Sequence, residues 1–543
     1  MAPWDFFCLQ SASGRASTLF VSDSTTRGVG WLRAVGLLRR WELRHAAPMS
    51  DRNCSTAVRG PYVAGTFRTT EHRRLLHSPY DGRVLAEVCD AGSTEVEEAL
   101  AAADASVAAT RALTSQQRAA ICSAVAVGLQ TRVADLALAI CDDSGKPITD
   151  AEAEVERAIF CFELAAAEAQ RLAREGHVLP MDLKPAGRGR LGLTQRIPVG
   201  PVAAISPFNF PLNLAVHKVA PALAAGCPVV LKPASQTPTP TLILAEIIAQ
   251  TAWPQAAFSV IPATRAAADA LVTDERCKLL SFTGSGAVGW DMKARAGKKR
   301  VVLELGGNAA VIIDDSVAAA DLDAIVAKLV YGAFSYAGQK CISVQRIYVV
   351  ERPGSHLHAA FTERFVAATR ALEIGDPRER SVLVGPMIDE ANARRVESWI
   401  AEAVSQGARL LCGGERHGNV VQPTVLGDVP STARACRDEV FGPVCNIDRV
   451  PSWDAAVSAV NASRYGLQAA VFTRDLGHSL RAFEELQVGA VILNEAPSFR
   501  IDHMPYGGVK ESGFGREGIR AAIEDMTELR LLVTGALPEL PIT

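Results

Sequence analysis

Between Val202 and Leu305 short β-branched runs alternate with helical stretches, and that alternation narrows the possible folds more than any other feature of the chain. Val202–Ser206, Pro228–Lys232, Phe258–Pro262, Leu279–Thr283 and Val301–Leu305 read as strands, with Thr241–Thr251 among the helices between them. Strands separated by helices do not pair as hairpins, so the pattern predicts an α/β fold with a mostly parallel sheet. Such sheets bind nucleotides at the carboxyl ends of their strands. A second alternating series, from about Asn308 to Pro505, predicts a separate α/β domain. Upstream, Thr94 to Arg174 is alanine-rich and amphipathic, and Ser93 ahead of Glu95, Glu97 and Glu98 marks a helix start, where acids meet the positive end of the dipole. Arg190–Gly200 reads as strand material ending in turn residues, and Met526–Thr534 as a late strand.

At 543 residues and 48% hydrophobic content the chain has ample material for extensive cores. A net charge of -3 and a pI near 6.4 supply no basic field, so neither nucleic acid nor a membrane surface is expected as a partner. The most apolar stretch, Val216 to Val230, is interrupted by His217, Lys218, Pro221 and Pro228 and does not read as a membrane span. Twelve cysteines form no CxxC pair and no Cys/His ligand spacing, which predicts reduced thiols in a cytoplasmic setting and no metal. Residues 1–48 differ: Arg15, Arg27, Arg33, Arg39, Arg40 and Arg44 face only Asp5, Asp23 and Glu42. That composition suits a transit peptide and equally an extension ahead of a true start at Met49; on both readings the segment is expected to be disordered and outside the fold.

The chemistry concentrates in Gly338-Gln339-Lys340-Cys341 and, upstream of it, Glu304-Leu305-Gly306-Gly307. A cysteine attacks as its thiolate, which a positive neighbour favours, and Lys340 is adjacent; a buried free cysteine is also a common packing residue. Glu304 is a candidate base for activating water against a thioester. Gly284-Ser285-Gly286-Ala287-Val288-Gly289 follows a strand and fits GxGxxG, which would instead make Glu304, about twenty residues on, a ribose ligand. Lys232, at a strand end, is placed either to reach a ribose or phosphate or to be an ordinary surface lysine. Arg157 shares a helical face with Phe160, Cys161 and Leu164, where an unpaired guanidinium is costly and calls for an anion. The alternative is an ion pair with Glu154 or another buried acid. His217, with no second histidine or acid at ligand spacing, reads as a packing residue.

Pro207-Phe208-Asn209-Phe210-Pro211, Leu231-Lys232-Pro233-Ala234, Phe282-Thr283-Gly284-Ser285, Glu439-Val440-Phe441-Gly442-Pro443 and Pro505-Tyr506-Gly507-Gly508-Val509-Lys510-Glu511-Ser512-Gly513 occur in the order found in aldehyde dehydrogenases. With the Glu304 and Cys341 motifs, the chain resembles that superfamily over roughly residues 60 to 535. The resemblance implies a Rossmann-like dinucleotide-binding domain over 49–305, with an oligomerisation hairpin at about 180–200. It further implies a catalytic domain over 306–511, a C-terminal segment 512–543 with an oligomerisation strand, and a homodimer or homotetramer. NADP or NAD is the implied cofactor, held by Ser206, Pro207, Phe208, Lys232, Gly284 and Ser285, with Glu439 and Phe441 at the nicotinamide. Ser235 stands where many NAD-selective relatives carry a glutamate that repels a 2′-phosphate, which makes NADP acceptable or preferred.

The resemblance also assigns Cys341 as nucleophile, Glu304 as base, and the Asn209 amide with the Cys341 backbone N–H as oxyanion hole. Lys218 and Glu517 match a proton relay of some relatives, or form a structural ion pair. Arg500 lies on the loop bordering the family's substrate tunnel, and with Arg157 and Lys340 it is expected to clamp a carboxylate or phosphate at the far end of a short aldehyde. The implied reaction is oxidation of a small aldehyde to the acid. The alternatives are transfer of the acyl group to coenzyme A, and a catalytically silent protein on the same fold.

Overall fold

A computed structural model describes residues 58–172 and 175–535; the arginine-rich segment 1–48 and Met49 lie outside the described residues. The runs read as strands form Val202–Ile205, Val229–Lys232, Phe258–Val260, Leu279–Thr283 and Arg300–Glu304. They are the parallel centre of an eight-stranded sheet. Across it the strands run Gly513–Phe514, Arg300–Glu304, Leu279–Thr283, Val202–Ile205, Val229–Lys232, Phe258–Val260, Tyr62–Val63 and Thr66–Phe67. From Val202–Ile205 the chain works outward to one side, then returns to build the other. The order therefore reverses between Val202–Ile205 and Leu279–Thr283, and their carboxyl ends open a crevice at this switch point. Gly513–Phe514 pairs antiparallel with Arg300–Glu304, with Gly513 opposite Glu304, so the late C-terminal segment closes this edge.

A seven-stranded sheet follows in the order Arg409–Cys412, Thr424–Gly427, Val444–Val450, Arg346–Val350, Ala310–Ile313, Gln468–Phe472 and Ala490–Leu493. All of its pairs are parallel except the first. A third sheet joins Val178–Pro180, Leu191–Pro198 and Thr527–Val533, the last two in antiparallel register from Thr527 opposite Pro198 to Val533 opposite Gly192.

The alanine-rich stretch forms helices, beginning with Ser93–Ala105. Its N-cap is Gly92 rather than Ser93, and the Glu95 carboxylate accepts the Gly92 N–H at 2.8 Å. The long helix Ile148–Leu172 packs on Asn213–Ala225, whose every residue is buried, His217 and Lys218 included. That helix is the apolar stretch of the sequence, and its charged groups survive burial only because each finds a partner. Among the described residues no single helix is long and apolar enough to cross a membrane.

Candidate active site

A cavity of about 790 Å³ opens at the switch point, and Cys341 and Glu304 both line it. Cys341 follows a helix, Leu322–Phe334, and a turn in which Tyr336, Ala337 and Gly338 adopt φ of 55°, 51° and 66°. Three left-handed residues in a row turn the chain sharply and need support from outside. Gln339 supplies it: wholly buried, it donates to the Pro386 carbonyl at 3.1 Å and accepts the Ile388 N–H at 2.9 Å. The thiol thus stands on a pinned loop, with the Tyr506 hydroxyl 3.0 Å from its sulfur. Burial pushes the thiol up to about 11; Tyr506 and Arg500 draw it down, and Glu439 and Glu304 add to the rise.

Lys340 does not fill the part expected of it. Its ammonium turns away to bond Ser335 and lies over the Tyr331 ring, and it does not line the cavity. Burial lowers it to about 8. Adjacency in sequence placed the amine on the other side of the turn.

Glu304 ends its strand 2% exposed, and neither carboxylate oxygen has a hydrogen-bond partner among the described residues. Burial, reinforced by the nearby Glu517 charge, raises it well above the usual carboxylate range. A buried acid left without partners is costly, and such groups gather where proton transfer is done. Asn209 lines the same cavity and donates its amide to the Gln339 carbonyl, two residues before Cys341, at 3.0 Å.

The remaining wall suits a dinucleotide. Ser206, Pro207 and Phe208 follow the strand Val202–Ile205, Gly284 and Ser285 follow Leu279–Thr283, and all line the cavity. The Ser206 hydroxyl is buried without a partner among the described residues. Among the described residues Lys232 bonds only the Pro233 carbonyl, at 3.3 Å, and burial lowers its amine to about 8. Glu439 accepts the Gly307 N–H at 2.9 Å, and burial raises its carboxyl to about 7. A Cβ on Gly306 would come within 2.2 Å of that carboxylate, which explains glycine there. The Phe208 and Phe441 rings meet edge to face at 5.8 Å. Ser235 is half-buried and does not line the cavity, whereas Arg265 does. Sequence reasoning missed Arg265, although it follows the strand Phe258–Val260 much as Lys232 ends its own. An unpaired hydroxyl, two cations at strand ends and aromatic walls fit a phosphate-bearing nicotinamide cofactor.

Behind the thiol lies a charged network. Lys218 donates to Glu517 at 2.8 Å, Thr283 at 2.7 Å and Ser281 at 3.1 Å. Although burial works against it, Lys218, His217 and Arg500 bring the Glu517 carboxyl down to about 2. Arg157 takes the alternative of an ion pair with a buried acid, though Glu154 is not its partner. It grips Asp502 at 2.7 and 3.0 Å, while Glu154 is bonded to the buried Lys146. His217 likewise has an acid, Asp502 at 2.8 Å. Asp502 is 345 positions from Arg157, so no local spacing could have shown it. Arg500 is buried, lies over the Tyr506 ring at 3.7 Å and reaches Glu517 at 3.4 Å, leaving its Nε without a partner among the described residues.

The sequence pattern of the aldehyde dehydrogenase family matches residues 67–532. The chain is 39% identical over 475 residues to the 3-sulfolactaldehyde dehydrogenase of Priestia aryabhattai, covering 87% of this chain and 97% of that protein. Aldehyde dehydrogenase 21 of Physcomitrella patens, solved in complex with the reaction product succinate, is 43% identical with a TM-score of 0.86, covering 90% of this chain and 100% of that one. Glyceraldehyde-3-phosphate dehydrogenase GapN of Methanocaldococcus jannaschii, complexed with NADP, is 35% identical with a TM-score of 0.80, covering 86% and 100%. Fold, crevice and sequence agree: the chain belongs to the aldehyde dehydrogenase family, an oxidoreductase that works on aldehydes with NADP or NAD.

Proposed function

We propose that this enzyme oxidises a short aldehyde bearing a terminal anion to the corresponding carboxylic acid, with Cys341 as nucleophile and Glu304 as base. The carrying observation is a thiol and a buried, partnerless carboxylate in one cavity. Cys341 sulfur adds to the aldehyde carbon, and the carbonyl oxygen takes up the negative charge. The Asn209 amide is the donor for that oxygen, a contribution of typically ~3 kcal/mol. When bound, the nicotinamide supplies the hydride acceptor. Cys341 then carries a thioester; Glu304 takes a proton from water, the water oxygen bonds the acyl carbon, and the carbon–sulfur bond breaks to return the thiolate. This assignment also accounts for Glu304 better than ribose binding does, because a ribose ligand has no need to be held beside the thiol.

The anion preference rests on Arg500. Its buried Nε has no partner among the described residues, and one aromatic ring separates it from the nucleophile. Arg157 is already neutralised by Asp502, so its share in an anion clamp is the smaller, and Lys340 has none. Relatives named for sulfolactaldehyde and solved with succinate support a sulfonate or carboxylate at the far end. For the cofactor we favour NADP, since Ser235 carries no repelling acid and Lys232 and Arg265 offer charge to a 2′-phosphate. Lys218 and Glu517 are suited to pass the proton from Glu304 outward. We also infer a division of the chain near 305/306, and a dimer or tetramer built on the third sheet, where Leu529, Leu531 and Leu532 are exposed. A cytoplasmic setting is favoured by the free thiols of the described cysteines.

The test follows reduced-nicotinamide absorbance with succinic semialdehyde and with butyraldehyde. The acidic substrate is expected to have roughly ten- to a hundredfold higher kcat/KM, the value of one or two charge-assisted hydrogen bonds, and Cys341→Ala to abolish turnover while still binding NADP. A parent enzyme preferring butyraldehyde overturns the anion reading; turnover by the alanine variant overturns the nucleophile.

A further inference from the structure

We propose that the Tyr506 hydroxyl is a catalytic hydrogen-bond donor to the Cys341 sulfur, holding the thiolate ready for attack. This rests on Cys341 being the nucleophile. The phenol oxygen is 3.0 Å from the sulfur, and the ring is 4% exposed among Ile342 and Leu467. Its backbone is fixed on both sides, donating to the Glu517 carbonyl at 2.9 Å and accepting the Glu517 N–H at 2.6 Å. Phenylalanine would fill that apolar cluster equally well. A buried hydroxyl costs free energy unless it is bonded, and here its bond is to the thiol.

Two usual means of favouring a thiolate, a bond from the adjacent amine and a helix N-terminus, are missing around Cys341 among the described residues. Lys340 is turned to Ser335, and the residue follows the end of a helix instead of starting one. The charged groups facing the thiol are Glu439 and Glu304, which oppose its ionisation, and Arg500, which favours it. Burial keeps the Tyr506 phenol protonated, since it raises its ionisation well above the ordinary tyrosine range. Once the thiol ionises the sulfur can only accept, so the phenol is the donor to the thiolate, and the Arg500 guanidinium stacked 3.7 Å over its ring strengthens the polarity of that O–H. The equilibrium concerned is Cys341 thiol to Cys341 thiolate plus a proton released to the buffer, with no transfer of electrons.

The experiment is the pH dependence of iodoacetamide alkylation of the full-length chain, with and without NADP, read by mass spectrometry on the peptide carrying Cys341. Tyr506→Phe removes only the oxygen. The pH of half-maximal alkylation is expected to rise by about one pH unit, so that the rate near neutrality falls about tenfold, with NADP affinity retained. Superimposable profiles for parent and Tyr506→Phe would overturn the proposal. Alkylation reports on the thiol whether or not the enzyme turns over, so failure here is distinct from failure of the nucleophile assignment, which Cys341→Ala decides.

Discussion

In the proposed mechanism Glu304 acts only after losing a proton, and its surroundings resist that loss. Below its raised pKa the carboxyl is protonated and cannot take a proton from water; above it the base is available. Steady turnover is therefore expected to rise with pH through a range above that of ordinary carboxylates, a limb that Glu304→Gln should abolish. The same variant should cut the steady rate about a hundredfold or more while keeping the first burst of reduced cofactor, which stopped-flow absorbance resolves. Much at this scale was legible: Cys341, Glu304, Asn209, Lys232 and Glu439 lie in motifs, and motifs are strings of neighbours. What was not legible depended on distance in the chain. Lys340 was credited to Cys341 because they adjoin, yet the turn separates their side chains. A buried acid was among the partners expected for Arg157, but Asp502 could not be named because it is remote, and Tyr506 was quoted within a motif without its contact to the thiol being visible.

The element that carries the thiol is the left-handed turn Tyr336–Gly338. A Cβ on Gly338 would meet the Gly442 carbonyl oxygen at 2.3 Å, and φ there is +66°. Gly338→Ala is expected to destabilise the fold by about 1–3 kcal/mol and to cost more activity than stability, because displacing this turn moves Cys341 itself. Thermal melts beside kcat measurements on the same preparations check both parts; an unaltered kcat would show that the turn tolerates movement. The parallel strands were readable because helices between β-branched runs force that pairing. The turn was not, since nothing in Ser335-Tyr336-Ala337-Gly338 but its glycine announces positive φ; residues packed around it impose the conformation.

Across the whole molecule the third sheet leaves leucines in water, Leu529 at 61% and Leu531 at 50% exposure on one face and Leu532 at 61% on the other. Covering such side chains stabilises an assembly by about 25 cal/mol for each Å² removed from water. If the proposed dimer or tetramer is built on this sheet, Leu531→Glu lowers the mass seen in light scattering towards that of one chain, and a parent mass of one chain or an unchanged mass in the variant would overturn that assignment. The late strand was foreseeable from its pattern, but its seven-residue register against Leu191–Pro198 joins segments too far apart for local reading.

The edge strand Gly513–Phe514 has one further consequence. It lies beside Glu304, and the residues just before and after it bring Arg500, Tyr506 and Glu517 to the centre. During synthesis on the ribosome these emerge well after Cys341. The nascent chain thus exposes Cys341 before its surroundings exist, and the pocket around the thiol is completed only when this later segment folds against it.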